Sequence, residues 1–107
     1  MNILLIDDDD GVAGSFVPLI QGMGHSVEWT KHGDIPEGFK PDVVICDYDL
    51  GMFDRRNGSQ IVTELRPEAP DARWIIWSGL PREVPDGVEF FSKMDTIELL
   101  DSFGEPK

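Results

Sequence analysis

Nearly unbroken apolar runs at 2–6 (NILLI), 43–46 (VVIC) and 74–77 (WIIW) restrict this chain's fold more than any other feature. A half-buried strand alternates apolar and polar residues, because successive side chains point to opposite faces. A run without alternation needs cover on both faces, the condition of central strands in a parallel sheet layered by helices. Two weaker runs complete the set: SVEWT at 26–30 alternates and reads as an edge, and VEFF occupies 88–91. Between the first two runs, Val12, Ala13, Phe16, Val17, Leu19, Ile20 and Met23 recur at helical spacing, and Gly22 and Gly24 close the stretch. Pro18 inside it predicts a kink or an early turn. Residues 58–66 predict a second helix with Ile61, Val62 and Leu65 on one side, and 95–103 a third, capped by Asp95 or Thr96. Strands and helices in this alternation predict an α/β, doubly wound, five-stranded parallel sheet. At 107 residues the chain suits a single domain, 1–107, with one core.

Two connections break the pattern. Residues 31–42 and 79–87 each carry two prolines and two glycines, and neither makes a credible helix. Nine extended residues still reach about 30 Å, enough to return along a short strand. Parallel pairing therefore survives with bare loops, and the second and fourth helices of such a sheet are expected to be reduced or absent. Ile35, Phe39, Leu80 and Val84 are expected to cover part of that face from the loops. Any sheet left bare there is a candidate surface for a homodimer or a partner.

The formal charge is −12, from 21 acidic and 9 basic residues. No basic stripe is visible, which argues against a nucleic-acid surface. Cys46 is the only cysteine and sits inside an apolar run, so it reads as a buried, inert thiol in a cytoplasmic protein. No signal peptide and no 18-residue apolar run are present, so no membrane association is expected. His25 and His32 lack a second ligand at metal spacing and read as surface residues. Asp9 and Asp10 suit a helix cap and first turn. Asp54, Arg55 and Arg56 read as a solvated loop, with contact to a phosphodonor as the alternative for the arginines.

The chemistry gathers where the apolar runs end. Asp7 and Asp8 follow the first, Asp47 and Asp49 the third, Ser78 the fourth and Lys93 the fifth. In a sheet ordered 2-1-3-4-5 the ends of runs one, three, four and five are neighbours, at the edge where open α/β sheets bind ligands. Two like charges about 4 Å apart repel by about 4 kcal/mol at an effective dielectric of about 20. Such a cluster calls for a cation, a shared proton or phosphoryl chemistry. Asp7 and Asp8 suit Mg2+, a hard ion that prefers oxygen. Asp47 suits a carboxylate nucleophile, Ser78 a hydrogen-bond donor to a phosphoryl oxygen, and Lys93 a neutralising charge.

These segments (ILLIDDDD, VVICDYDLG, IIWSG and FFSK) resemble the receiver domain of two-component response regulators, in order and over essentially the whole chain. The resemblance implies a flavodoxin-like fold with Asp47 as phosphoacceptor. Asp7, Asp8, Asp47 and the backbone carbonyl of Asp49 would then be metal ligands, with Ser78 and Lys93 gripping the phosphoryl group. Phe90 stands three before the lysine, at the switch-aromatic position beside Ser78, and Gly58 at the glycine opening the third family helix. The implied partner is a histidine kinase or histidine phosphotransfer protein, and the implied output is protein–protein binding. The chain departs from the family at Met94, where a proline usually follows the lysine, and at Gly51. Two alternatives stay open. DDDDGV or DYDLG also resembles the signature of haloacid-dehalogenase-type phosphatases, and Met94 with the lost helix suits a pseudo-receiver that binds without taking phosphate.

Overall fold

The computed structural model describes residues 1–103. The strands are β1 (Asn2–Ile6), β2 (Ser26–Thr30), β3 (Val43–Asp47), β4 (Arg73–Ser78) and β5 (Glu89–Ser92). All pair in parallel, in the order β2-β1-β3-β4-β5. Among the described residues, α1 (Asp10–Gly22) crosses from β1 to β2, α2 (Gly58–Leu65) crosses from β3 to β4, and α3 (Thr96–Asp101) follows β5. This is the doubly wound sheet expected, with loops where second and fourth crossover helices would lie.

Each central strand divides its side chains between two cores, which explains the unbroken apolar runs. Ile3, Leu5, Ile45, Ile75 and Trp77 face α1 and α3, meeting Phe16, Ile20 and Leu99. Leu4, Ile6, Val44, Cys46 and Ile76 face α2, meeting Ile61, Val62 and Leu65. Burying one such side chain contributes about 1.5–3 kcal/mol, so both layers are needed to hold the sheet. β2 is half solvated, as its alternation predicted.

The face beside α2 is closed by loops rather than left bare. Ile35, Phe39 and Val84 pack on it as expected. Leu80 does not: it is 63% exposed. The strand residues Leu4, Ile6, Val44, Cys46 and Ile76 expose nothing, so the bare sheet proposed as a homodimer surface is not there. The β4–β5 loop is instead stitched across α2. Ser59 Oγ donates to the Glu83 carbonyl at 3.2 Å, and Arg66 Nη1 to the Asp86 carbonyl at 2.9 Å. These bonds satisfy carbonyls that a helix would have paired internally.

Three local details differ from expectation. α1 runs through Pro18 with no turn breaking it there. α3 is shorter than 95–103 and begins after a 3-10 turn at Lys93–Asp95. The Asp95 side chain caps nothing; Ser92 Oγ accepts from the Met94 amide at 3.1 Å, and Thr96 Oγ1 donates to the Lys93 carbonyl at 3.0 Å. No helix among the described residues is long and apolar enough to cross a membrane.

Candidate functional site

β1, β3, β4 and β5 end side by side, and the residues at or just past their ends line one crevice. Asp7 extends the pairing beyond β1, its amide donating to the Thr30 carbonyl at 3.0 Å. Its side chain is wholly buried. One oxygen, Oδ1, accepts from the Asp9 amide at 2.9 Å. The other, Oδ2, lies 3.0 Å from the Lys93 ammonium, yet no donor meets it in hydrogen-bond geometry. Asp9 caps α1 as expected, its Oδ1 accepting from the amides of Gly11 and Val12 at 2.9 and 3.1 Å. That cap aims the chain so that Asp8, half-buried, stays at the crevice.

Asp47 closes β3 and is 8% exposed, with Lys93 Nζ 3.4 Å from its Oδ2. Asp7, Asp8 and Asp47 each present a carboxylate oxygen, all within 4.8 Å of one another. Gly58 lets α2 start directly against this strand end. A Cβ there would stand 2.8 Å from the Asp47 carbonyl oxygen and 2.9 Å from Tyr48 Cα. Ser78 ends β4, buried, its Oγ accepting from the Leu80 amide at 3.3 Å, so its hydroxyl hydrogen remains free to donate. Lys93 follows β5, whose Ser92 pairs in register with Ser78. The ammonium also stands 5.2 Å above the Trp77 ring, a cation–π contact. Phe90 is half-buried in the core beside α2. Asp49 uses its carboxylate locally, Oδ1 accepting from the Gly51 amide at 2.9 Å.

Electrostatics follow from this crowding. Burial first, and then the Asp7 charge, push the Asp47 carboxyl up to about 6 despite Lys93. Burial pulls the Lys93 ammonium down, but interaction with Asp7 and then Asp47 outweighs it, and its pKa is raised. Burial and the neighbouring Asp47 push the Cys46 thiol far above its ordinary range, which bears out the inert reading. Two buried carboxylates and one ammonium leave excess negative charge, with Lys93 Nζ, 3.0 Å away, as the one cation at Asp7 Oδ2. An oxygen-only donor set with that excess charge fits a hard divalent cation.

Two supports had no signal in the chain. Trp29 Nε1 donates to the Asp7 carbonyl at 2.8 Å, tying the edge strand to the site. The Asp54–Arg56 stretch, read as solvated, is a brace. Arg56 binds Asp54, with Nη2–Oδ2 at 2.7 Å, and reaches Glu64 on α2 and the Gly33 carbonyl at 2.9 Å. Asp54 Oδ2 also accepts the Gly33 amide at 2.9 Å. The Arg56 hydrogen bonds hold the Asp54 carboxyl well below the usual carboxylate range. A loop arginine betrays its partners only after folding has chosen them.

No protein-family model matches the chain, and no curated protein is similar enough to count as a relative. Solved structures are similar in fold. One is a response regulator protein from Burkholderia pseudomallei with a phosphorylated aspartic acid, calcium ion and citrate. It has a TM-score of 0.80 at 21% identity, over 99% of this chain and 66% of that one. Another is the response regulator protein TrrA from Thermotoga maritima in complex with Mg(2+)-BeF. Its TM-score is 0.80 at 20% identity, over 95% of each chain. A third is a CheY-like receiver domain protein from Methanospirillum hungatei, with a TM-score of 0.74 at 17% identity over 95% of this chain and 91% of that one. The chain has the receiver-domain fold.

Proposed function

We propose that this chain is a receiver module of two-component signalling, which takes a phosphoryl group from a phosphohistidine donor onto Asp47 and signals by binding another protein. The observation that carries the reading is the convergence of Asp7, Asp8, Asp47, Ser78 and Lys93, from four separate strand ends, at one crevice. The metal in this reading is Mg2+, held by carboxylates of Asp7, Asp8 and Asp47 and by the Asp49 carbonyl. When bound, it supplies charge to offset the oxygens around phosphorus. That similar folds are described with a phosphorylated aspartic acid or with Mg(2+)-BeF supports it.

An Asp47 oxygen forms the new P–O bond as the donor's P–N bond breaks, the imidazole keeping the electron pair. Lys93, already 3.4 Å from Asp47, neutralises one phosphoryl oxygen, and the Ser78 hydroxyl donates to another. The Ser78 hydrogen is free for this while its oxygen accepts from the Leu80 amide, and Phe90 on the neighbouring strand is the second switch residue of this reading. A histidine kinase or histidine phosphotransfer protein is the expected partner, in the cytoplasm. The groove beside Lys93, lined by Val12, Phe16, Leu19 and Trp77, offers it an apolar footing.

Mass spectrometry after incubation with acetyl phosphate and Mg2+ tests the reading. One phosphoryl group should add to the wild type and none to Asp47→Asn. Continuous release of free phosphate from a phosphomonoester would favour the phosphatase alternative, and no adduct with any acyl phosphate the pseudo-receiver.

A further inference from the structure

The few basic residues of this acidic chain are mostly committed. Among the described residues, Lys31, Arg56, Arg73 and Lys93 each pair with a carboxylate. Arg66 donates to the Asp86 carbonyl. Lys40 lies at the opposite end of the sheet, its carbonyl accepting from the Asn2 side chain at 3.3 Å. The two that remain, Arg55 and Arg82, are exposed, have no carboxylate at ion-pair distance among the described residues, and line one cavity of about 300 Å3. Arg55 comes from the loop after β3 and Arg82 from the loop between β4 and β5. Asp54 shares the wall but is held by Arg56, so the Asp49 carboxylate alone is set against two guanidinium groups.

The cavity is also held in shape. The Arg82 guanidinium stands 4.4 Å from the centre of the Tyr48 ring, a cation–π contact that restrains a long side chain. Ser59 and Arg66 pin the backbone just beyond it, at Glu83 and Asp86. On the same two loops, Met52 is 93% exposed and Leu80 63%. Arginine, tyrosine and methionine are side chains enriched where proteins bind one another, and a surface already ordered loses less entropy on docking.

Charge selects the partner. A small local excess of positive charge, in a chain of net charge −12, suits single carboxylates presented one at a time. Each planar guanidinium can receive a carboxylate through two parallel N–H donors. A nucleic acid carries far more charge than this cavity offsets and meets the repulsion of the whole chain. We propose that the cavity is a docking site for an acidic segment of a partner protein, whose carboxylates are gripped by Arg55 and Arg82 while its apolar side chains settle on Met52 and Leu80. The inference rests on the receiver reading above, and names the chemistry of the protein that such a module binds.

The test is fluorescence anisotropy with a short fluorescein-labelled peptide of repeated Glu-Glu-Leu, titrated with metal-free protein at low salt. Wild type should bind it, and the double variant Arg55→Gln with Arg82→Gln should bind about five to ten times more weakly, the range of one lost charge-assisted contact. Lys40→Gln removes the same kind of charge away from the cavity and should change the affinity by less than about twofold. Arg82→Lys should fall between wild type and Arg82→Gln. Both arginines are exposed, so the variants should fold. Equal binding by the double variant overturns the proposal, as does equal binding of a Gln-Gln-Leu peptide. Displacement of the peptide by oligothymidylate at lower concentration would reassign the cavity to phosphates and overturn it too. The titration needs no phosphoryl group. A wild type left unlabelled by acetyl phosphate therefore defeats the receiver reading and leaves this measurement to decide on the surface.

Discussion

At the scale of single residues, Asp47 is under electrostatic strain that its replacement should reveal. Its carboxyl titrates near 6 in the metal-free fold, against an ordinary value near 4. A raised acid pKa means that the native state holds the proton more tightly than the unfolded chain. Stability is therefore lost as pH rises from about 4 to about 6, and the ionised side chain costs about 3 kcal/mol at neutral pH. Asp47→Asn should be more stable than wild type by about that amount at pH 7 in EDTA, and the gap should close toward pH 4. Urea unfolding at the two pH values measures it; equal stability at pH 7 would contradict the cause given. The crevice was legible in the chain because each of its side chains ends a strand run. Asp49 enters the reading only by resemblance, and its carboxylate serves a turn. Thiol reagent accessibility gives a further check: Cys46 should stay unmodified in the native state and react only on unfolding.

At the scale of elements, the fold depends on two contacts that bring α2 to the end of β3. The first is the close approach at Gly58. Gly58→Ala places a methyl against backbone that cannot swing aside and should cost about 1–3 kcal/mol, with weaker Mg2+ binding because the Asp47 carbonyl is displaced. Calorimetry with and without the metal would show both losses. The second is the brace of Asp54 and Arg56, which joins the loops after β2 and β3. Arg56→Ala leaves a largely buried carboxylate and the Gly33 carbonyl without their partner, and should cost about 2–3 kcal/mol in urea unfolding. The central strands were readable because burial on both faces leaves an apolar run without alternation. The two bare crossovers were readable from their prolines and glycines. The stitching of one to α2 and the capping by Ser92 were not, because hydrogen bonds between distant segments leave no local pattern.

At the scale of the molecule, a sheet that gathers carboxylates at one end of an acidic chain should gain stability from a divalent ion. Saturation at 100 times Kd stabilises a folded state by about 2.7 kcal/mol, and each kcal/mol moves Tm by about 4–8 °C in a domain of this size. A scan with Mg2+ against EDTA should show a rise of that order, lost in Asp7→Asn. The missing helices have a mechanical consequence as well. Ten residues, 79–88, must retrace a strand about 20 Å long with a reach of about 33 Å, and fastenings at Glu83 and Asp86 use up much of the slack. A rigid helix can pivot as a lever; a short strap tied down midway only tightens or loosens. Under the proposed reading, a shift of Ser78 would pull on a strap whose first fastenings lie on α2, and the output surface would be sought there.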